Sequence, residues 1–181
     1  AAAPRSEITQ PWGLSAKDYV VAADHPLASA AGAGVLAAGG NVVDAAAATS
    51  FALAVVRPHS AGLGGGGFML YKPAGKEAVF LDYRETAPDA AETAAYLGPD
   101  GRPIPGKTES GSWAVGVPGQ LRGVPLMLAK HGTFPLASVV APAIELAERG
   151  FPLDAHLREA MEDLASRIAK SGAPARFAES A

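Results

Sequence analysis

The residues best suited to bind a small anion lie in the stretch Asp82-Tyr83-Arg84-Glu85, at the end of a predicted strand. A guanidinium holds a carboxylate through two parallel hydrogen bonds and stays charged at any working pH. Arg84 is therefore a candidate for binding a carboxylate. From the residues alone, an ion pair with Asp82 or Glu85, or a plain surface arginine, is the commoner outcome, and this interpretation stays open.

Four consecutive glycines, Gly64, Gly65, Gly66 and Gly67, lead into an apolar strand at residues 68–71. The run contains the pattern G-x-G-x-x-G, but a dinucleotide-binding fingerprint follows a strand and opens a helix. Here the run follows a predicted helix and opens a strand, and no Gly-Lys-Ser/Thr phosphate loop follows it. We interpret the glycines as a structural crossover that needs steric room, in preference to a ligand contact.

Two polar pairs invite a catalytic or metal-binding interpretation that their surroundings do not favour. His59 and Ser60 are adjacent in a predicted extended loop, so their side chains should point to opposite sides, and no G-x-S-x-G elbow surrounds any serine. Asp24 and His25 lack a spacing such as HExxH and suit the cap of a helix that begins at Pro26.

The chain has no cysteine, which excludes thiol catalysis and cysteine metal sites.

Hydrophobic patterning, with proline and glycine as breaks, predicts an α+β chain. A strand is predicted within residues 18–23, and strands at 68–71 and 77–83 should form a hairpin with two apolar faces, as in a sheet covered on both sides. Asn41 should cap the alanine-rich second helix, which should be buried, with Asp44 in its first turn. Helices are predicted at residues 26–38, 42–56, 91–96, 119–130, 136–149 and 154–170.

The 181-residue length suggests about one domain. The charge and the apolar pattern of the sequence argue against nucleic-acid partners and against a membrane span. A formal net charge of −3 provides no basic surface, so nucleic acid is not expected as a partner. No apolar run approaches the roughly 18 residues that a membrane span requires.

Three blocks at compatible spacings carry a family resemblance. They read GGNVVDAA at residues 39–46, GLGGGGFM at 62–69 and DYRETAP at 82–88. With them, the chain resembles the N-terminal part of the large subunit of the gamma-glutamyltranspeptidases, over roughly residues 18–165. The resemblance implies that the chain forms part of the four-layer αββα sandwich of the N-terminal-nucleophile hydrolases.

The resemblance also implies a reaction and its site. The family transfers or hydrolyses the gamma-glutamyl group of glutathione or related compounds, with an amino acid, a peptide or water as acceptor and with no metal or organic cofactor. It cleaves its own precursor before a threonine, which becomes the nucleophile at the N-terminus of a small subunit. Arg84 matches the arginine that binds the alpha-carboxylate of the substrate, and Glu85 and Asp82 would support it.

No catalytic residue is expected in this chain itself. None of its six threonines lies in a block resembling the family's cleavage site. Two alternatives stay open: a cephalosporin (glutaryl) acylase, whose substrate also ends in a carboxylate, and a non-catalytic binding or structural module that lacks the nucleophile.

The alanine-rich start resembles the region around a signal-peptidase cut. We therefore expect residues 1–17 to be an extension that follows a removed signal peptide, and the protein to be periplasmic or secreted. Residues 18–181 are expected to be the N-terminal portion of the large-subunit domain, incomplete without the remaining large subunit and the small subunit.

Overall fold

A computed structural model of the chain describes residues 16–171. Strands β1 (Phe68–Tyr71) and β2 (Val79–Asp82) are antiparallel, and short 3₁₀ turns occur at Thr93–Tyr96 and Ser112–Ala114. The helices are α1 (Pro26–Ala37), α2 (Val42–Val56), α3 (Pro58–Ala61), α4 (Gln120–His131), α5 (Leu136–Arg149) and α6 (Ala155–Ser171). The predicted hairpin and the long helices are confirmed to within about two residues at their ends.

Helix α2 forms the centre of the core. It packs against α1, α4 and α5, and its alanines at 47, 48 and 52 are completely buried. Such small side chains let neighbouring helices approach closely, while Phe51 and Val139 fill the space between them. The prediction that this alanine-rich helix is buried is confirmed.

A buried carboxylate fixes the start of α2. Asn41 and Asp44 form the predicted cap, with the Asn41 backbone N–H donating to Asp44 Oδ2 at 2.7 Å. The same carboxylate accepts from the Thr133 hydroxyl at 2.6 Å and from the Phe134 N–H at 3.1 Å. Burial raises the pKa of Asp44, but these hydrogen bonds outweigh it, so the pKa lies below its ordinary value. The α4–α5 turn is thereby joined to the N-terminus of α2.

A second polar cluster joins the other end of α2 to the start of α6. Arg57 is buried and pairs with Asp154 Oδ2 at 2.6 Å and with Asp24 Oδ2 at 3.0 Å. The hydrogen bond from Arg57 lowers the pKa of Asp154 from 3.8 to about 2. Asp154 also caps α6 by accepting from the Leu157 N–H at 2.9 Å.

The hairpin has one packed face and one exposed face. Tyr83 N–H donates to Gly67 O at 2.9 Å and extends the pairing of β1 with β2 by one residue pair. Phe68, Leu70 and Phe80 are more than half exposed on the outer face. No other element among residues 16–171 packs on that face, so the described part of the chain covers the sheet on one side only.

The predicted strand at residues 18–23 is wrong. Residues 18–23 are not in a strand in the structure. The two strands in the described part of the chain, β1 and β2, pair only with each other. A strand needs a neighbour that satisfies its backbone N–H and C=O groups, and propensity alone cannot supply one. Tyr19 and Val20 are accordingly about half exposed.

Tyr83 lies where glycines leave room for it. A β-carbon at Gly119 would lie 1.8 Å from the Tyr83 carbonyl oxygen, and one at Gly66 would lie 2.4 Å from the same atom. At Gly123 it would lie 2.2 Å from Tyr83 Cγ. Burial raises the pKa of the Tyr83 phenol above its ordinary value. The end of β2 is thus pressed against the N-terminus of α4 at a distance that only glycine permits.

The Asp154 pair predicts a specific loss of stability in acid. Because the folded-state pKa is lowered to about 2, the pair stabilises the fold fully above about pH 4 and loses this contribution as the pH falls towards 2. Asp154→Asn, which retains a cap, should flatten the decrease in melting temperature between pH 5 and pH 2. Asp163→Asn, at an exposed pair 3.9 Å apart, is the control and should follow the wild-type curve. Equal curves for wild type and Asp154→Asn would contradict the assignment.

The glycine contacts predict a matched pair of stability effects. Gly66→Ala would place a methyl group 2.4 Å from the Tyr83 carbonyl oxygen, whereas Gly64→Ala meets nothing within 4 Å. We expect Gly66→Ala to lower the free energy of unfolding by about 1–3 kcal/mol and Gly64→Ala to change it by less than about 0.5 kcal/mol. Urea unfolding of both variants measures this difference, and similar values for the two would refute the close approach.

Candidate functional site

A cleft of about 610 Å³ opens beside the end of β2. Its walls are residues 84–88 and 113–116, together with Gly64, Tyr96 and Thr108. Thr86 and Val117 hold the two wall segments together as an isolated antiparallel bridge, with Val117 N–H donating to Thr86 O at 2.8 Å. The cleft therefore rests on the hairpin on one side and on the loop before α4 on the other.

Arg84 lines this cleft, and most of its side chain is accessible. Its side chain is 66% exposed, and its Nε lies 3.2 Å from Glu85 Oε2. The guanidinium carbon also lies 5.9 Å from the centre of the Phe68 ring, in cation–π geometry. These contacts orient the side chain and leave much of it accessible.

The two acidic neighbours contact Arg84 in different ways. Asp82 Oδ1 accepts from the Arg84 backbone N–H at 2.9 Å, which fixes the chain direction at the end of β2. Glu85 instead pairs with the guanidinium and also lines the cleft. The structure therefore brings the three polar residues predicted for the site together. Their roles towards a substrate stay predictions.

The four glycines connect α3 to β1, as the crossover interpretation expects. Gly65 O accepts from the N–H groups of Gly119 and Gln120 at 3.0 and 3.1 Å, so the loop caps the N-terminus of α4. Gly66 packs on the backbone of residues 83–85. Gly64 alone of the four lines the cleft.

His59 and Ser60 lie in the helical turn α3, so the prediction of an extended loop is wrong. Pro58 at the first helical position favours the turn, because its missing N–H needs no partner there. His59 Nε2 lies 3.2 Å from His156 Nε2, and neither His59 nor Ser60 lines the cleft beside Arg84. The structure thus does not bring this pair to the candidate site.

The cap predicted at His25 is confirmed. His25 Nδ1 accepts from the Leu27 N–H at 3.1 Å, and Asp24 pairs with Arg57.

Across residues 16–171, no cluster of three or more histidine or acidic side chains is placed to hold a metal ion. Over the same residues, no helix combines the length and the apolar character that crossing a bilayer requires.

Sequence reasoning missed the aromatic side of the cleft. Tyr96 ends the helix predicted at residues 91–96, and Trp113 lies in the proline- and glycine-rich region that follows it. Their ring centres are 5.8 Å apart, and the Tyr96 hydroxyl donates to Trp113 O at 3.1 Å. Two large aromatic residues near each other in the sequence were the signal that could have indicated this side of the cleft. Whether their rings come into contact depends on the tertiary fold.

The chain matches proteins of known family over most of its length. The family model described as Gamma-glutamyltranspeptidase matches residues 28–179. The "Glutathione hydrolase proenzyme" of Bacillus subtilis strain 168 is 44% identical over 159 residues, which cover 87% of this chain and 27% of that relative. The chain therefore spans about a quarter of the length of this relative.

Solved structures agree with the sequence matches. The gamma-glutamyltranspeptidase of Helicobacter pylori superposes with a TM-score of 0.82 at 41% identity, covering 87% of this chain and 45% of that one. A cephalosporin acylase from Bacillus halodurans gives a TM-score of 0.72 at 30% identity, covering 91% of this chain and 31% of that one.

These superpositions confirm the predicted fold class: an α+β chain that is part of an N-terminal-nucleophile hydrolase sandwich. The blocks at residues 39–46, 62–69 and 82–88 that suggested the resemblance all fall within the matched region. The chain belongs to the gamma-glutamyltranspeptidase family.

Proposed function

We propose that this chain is part of an enzyme that transfers or hydrolyses the gamma-glutamyl group of glutathione or a related compound. The observation that carries the proposal is the accessible Arg84 guanidinium on the wall of a cleft large enough for a small peptide. The names of similar proteins, "Glutathione hydrolase proenzyme" among them, support the same reaction class.

Arg84 acts in this proposal by positioning the substrate. Its N–H groups hold the alpha-carboxylate of the glutamyl group in a two-pronged contact. Glu85 holds the guanidinium from one side, and Asp82 fixes the backbone from which it projects. Fixing the carboxylate places the gamma carbonyl at a constant distance from the attacking group, which lowers the entropic part of the barrier.

The nucleophile comes from a partner in this proposal. An N-terminal threonine of a small subunit, released when the precursor is cleaved, attacks the gamma carbonyl with its hydroxyl while its alpha-amine takes up the proton. The amine of the donor leaves with a proton, and an acyl-enzyme remains. Water, an amino acid or a peptide then attacks the ester and restores the threonine. The name "proenzyme" for similar proteins supports such processing.

We further propose that residues 18–181 supply the N-terminal portion of the large-subunit domain, following an extension at residues 1–17, in a periplasmic or secreted protein. Most of that extension and residues 172–181 lie outside the described part of the chain. The exposed outer face of the hairpin supports this assignment, because Phe68, Leu70 and Phe80 form an apolar surface that a further layer would cover.

The second candidate is a glutaryl-group acylase. The likeness to a cephalosporin acylase favours it, and a glutaryl group carries a carboxylate that Arg84 would bind equally well. Comparing kcat/KM for a gamma-glutamyl donor and a glutaryl amide separates the candidates. A preference for the donor with the amino group supports the first, and a preference for the glutaryl amide supports the second.

Substitution of Arg84 tests the proposed role. Arg84→Lys keeps the charge but cannot form the two-pronged contact, so KM for a gamma-glutamyl donor should rise about ten-fold or more in the processed protein. Arg167→Lys, at an exposed residue of α6, is the matched control and should leave KM unchanged. An unaltered kcat/KM in Arg84→Lys would refute the role of Arg84.

A further inference from the structure

The aromatic wall, which we define as Tyr96 and Trp113, is held in place although Tyr96 is only partly buried and Trp113 is half exposed. The rings meet edge to face at 85°, and the Tyr96 hydroxyl is bonded to the Trp113 carbonyl at 3.1 Å. Lys107 Nζ lies 4.3 Å from the centre of the Trp113 ring and donates to Ala95 O. Trp113 nevertheless remains 51% exposed. A large aromatic residue that is fixed and half exposed in a cleft suits contact with a ligand.

The aromatic wall and Arg84 line the same cleft but differ in chemistry. Arg84 and Glu85 are the charged residues of the lining, whereas the wall is flanked by Ala114 and Val115. The volume of about 610 Å³ lies within the roughly 300–1,000 Å³ typical of sites for drug-sized ligands. Such a space holds more than the group whose carboxylate meets Arg84.

We propose that the aromatic wall binds the amine portion of the donor, the part that leaves when the acyl group is transferred. With the carboxylate fixed at Arg84, the remainder of an amide extends along the cleft towards Trp113. The wall then favours flat or apolar amines over small aliphatic ones, because only a ring or an extended apolar group gains area against the indole. Tyr96 and Lys107 position Trp113. This inference rests on the function proposed above.

The test compares two donors with the same gamma-glutamyl group and different amines. The donors are gamma-glutamyl anilide and gamma-glutamyl methylamide, assayed with the processed protein and no added acceptor, so that kcat/KM reports loss of the amine. Trp113→Ala should lower kcat/KM about five- to ten-fold for the anilide and less than about two-fold for the methylamide. Trp113→Phe should largely restore the preference.

Each outcome has a distinct meaning. Equal losses for both donors in Trp113→Ala, or no loss for either, would overturn the inference. Arg84→Lys should lower kcat/KM for both donors by a similar factor and leave their ratio unchanged. If Arg84→Lys affects neither donor, the proposed role of Arg84 fails whatever Trp113 does. Melting temperatures separate these effects from unfolding, and the exposure of Trp113 predicts little change in them.

Discussion

The site depends on the close approach of Tyr83 to Gly66, Gly119 and Gly123. A β-carbon at any of the three would lie within 2.4 Å of a Tyr83 atom, so the end of β2 meets the N-terminus of α4 only because these side chains are missing. The next residue after Tyr83 is Arg84. A shift of the hairpin would therefore move the guanidinium directly, and the glycines act on binding through geometry rather than through contact with a ligand.

Two polar anchors hold the helical frame behind this contact. Asp44 joins the turn before α5 to the start of α2, and Arg57 joins the end of α2 to Asp154 before α6. Asp44 and Arg57 are buried charged groups with several hydrogen-bond partners each, so losing those partners would leave a buried charge unsatisfied. Helix α2 is thus fixed at both ends, and the hairpin and cleft are built on a rigid core.

Local signals predicted much of this molecule. The positions of the helices were predictable from the asparagine cap and alanine-rich sequence of α2 and from the proline and glycine breaks. These effects act within about one turn of the chain. The exposed face at Phe80 and the unpaired segment at residues 18–23 were not predictable, since both depend on which elements pack nearby. For the same reason the sequence indicated Arg84 and its acidic neighbours, but it did not reveal Tyr96 and Trp113 across the cleft.

A crystal structure of the processed protein with L-glutamate bound would test the role of Arg84 most directly. We predict that the alpha-carboxylate oxygens lie about 2.7–2.9 Å from two nitrogens of Arg84. Glu85 should remain against the guanidinium, and the gamma-carboxylate should point to an N-terminal threonine of the second polypeptide. Glutamate bound elsewhere, or bound without contact to Arg84, would contradict carboxylate binding by Arg84.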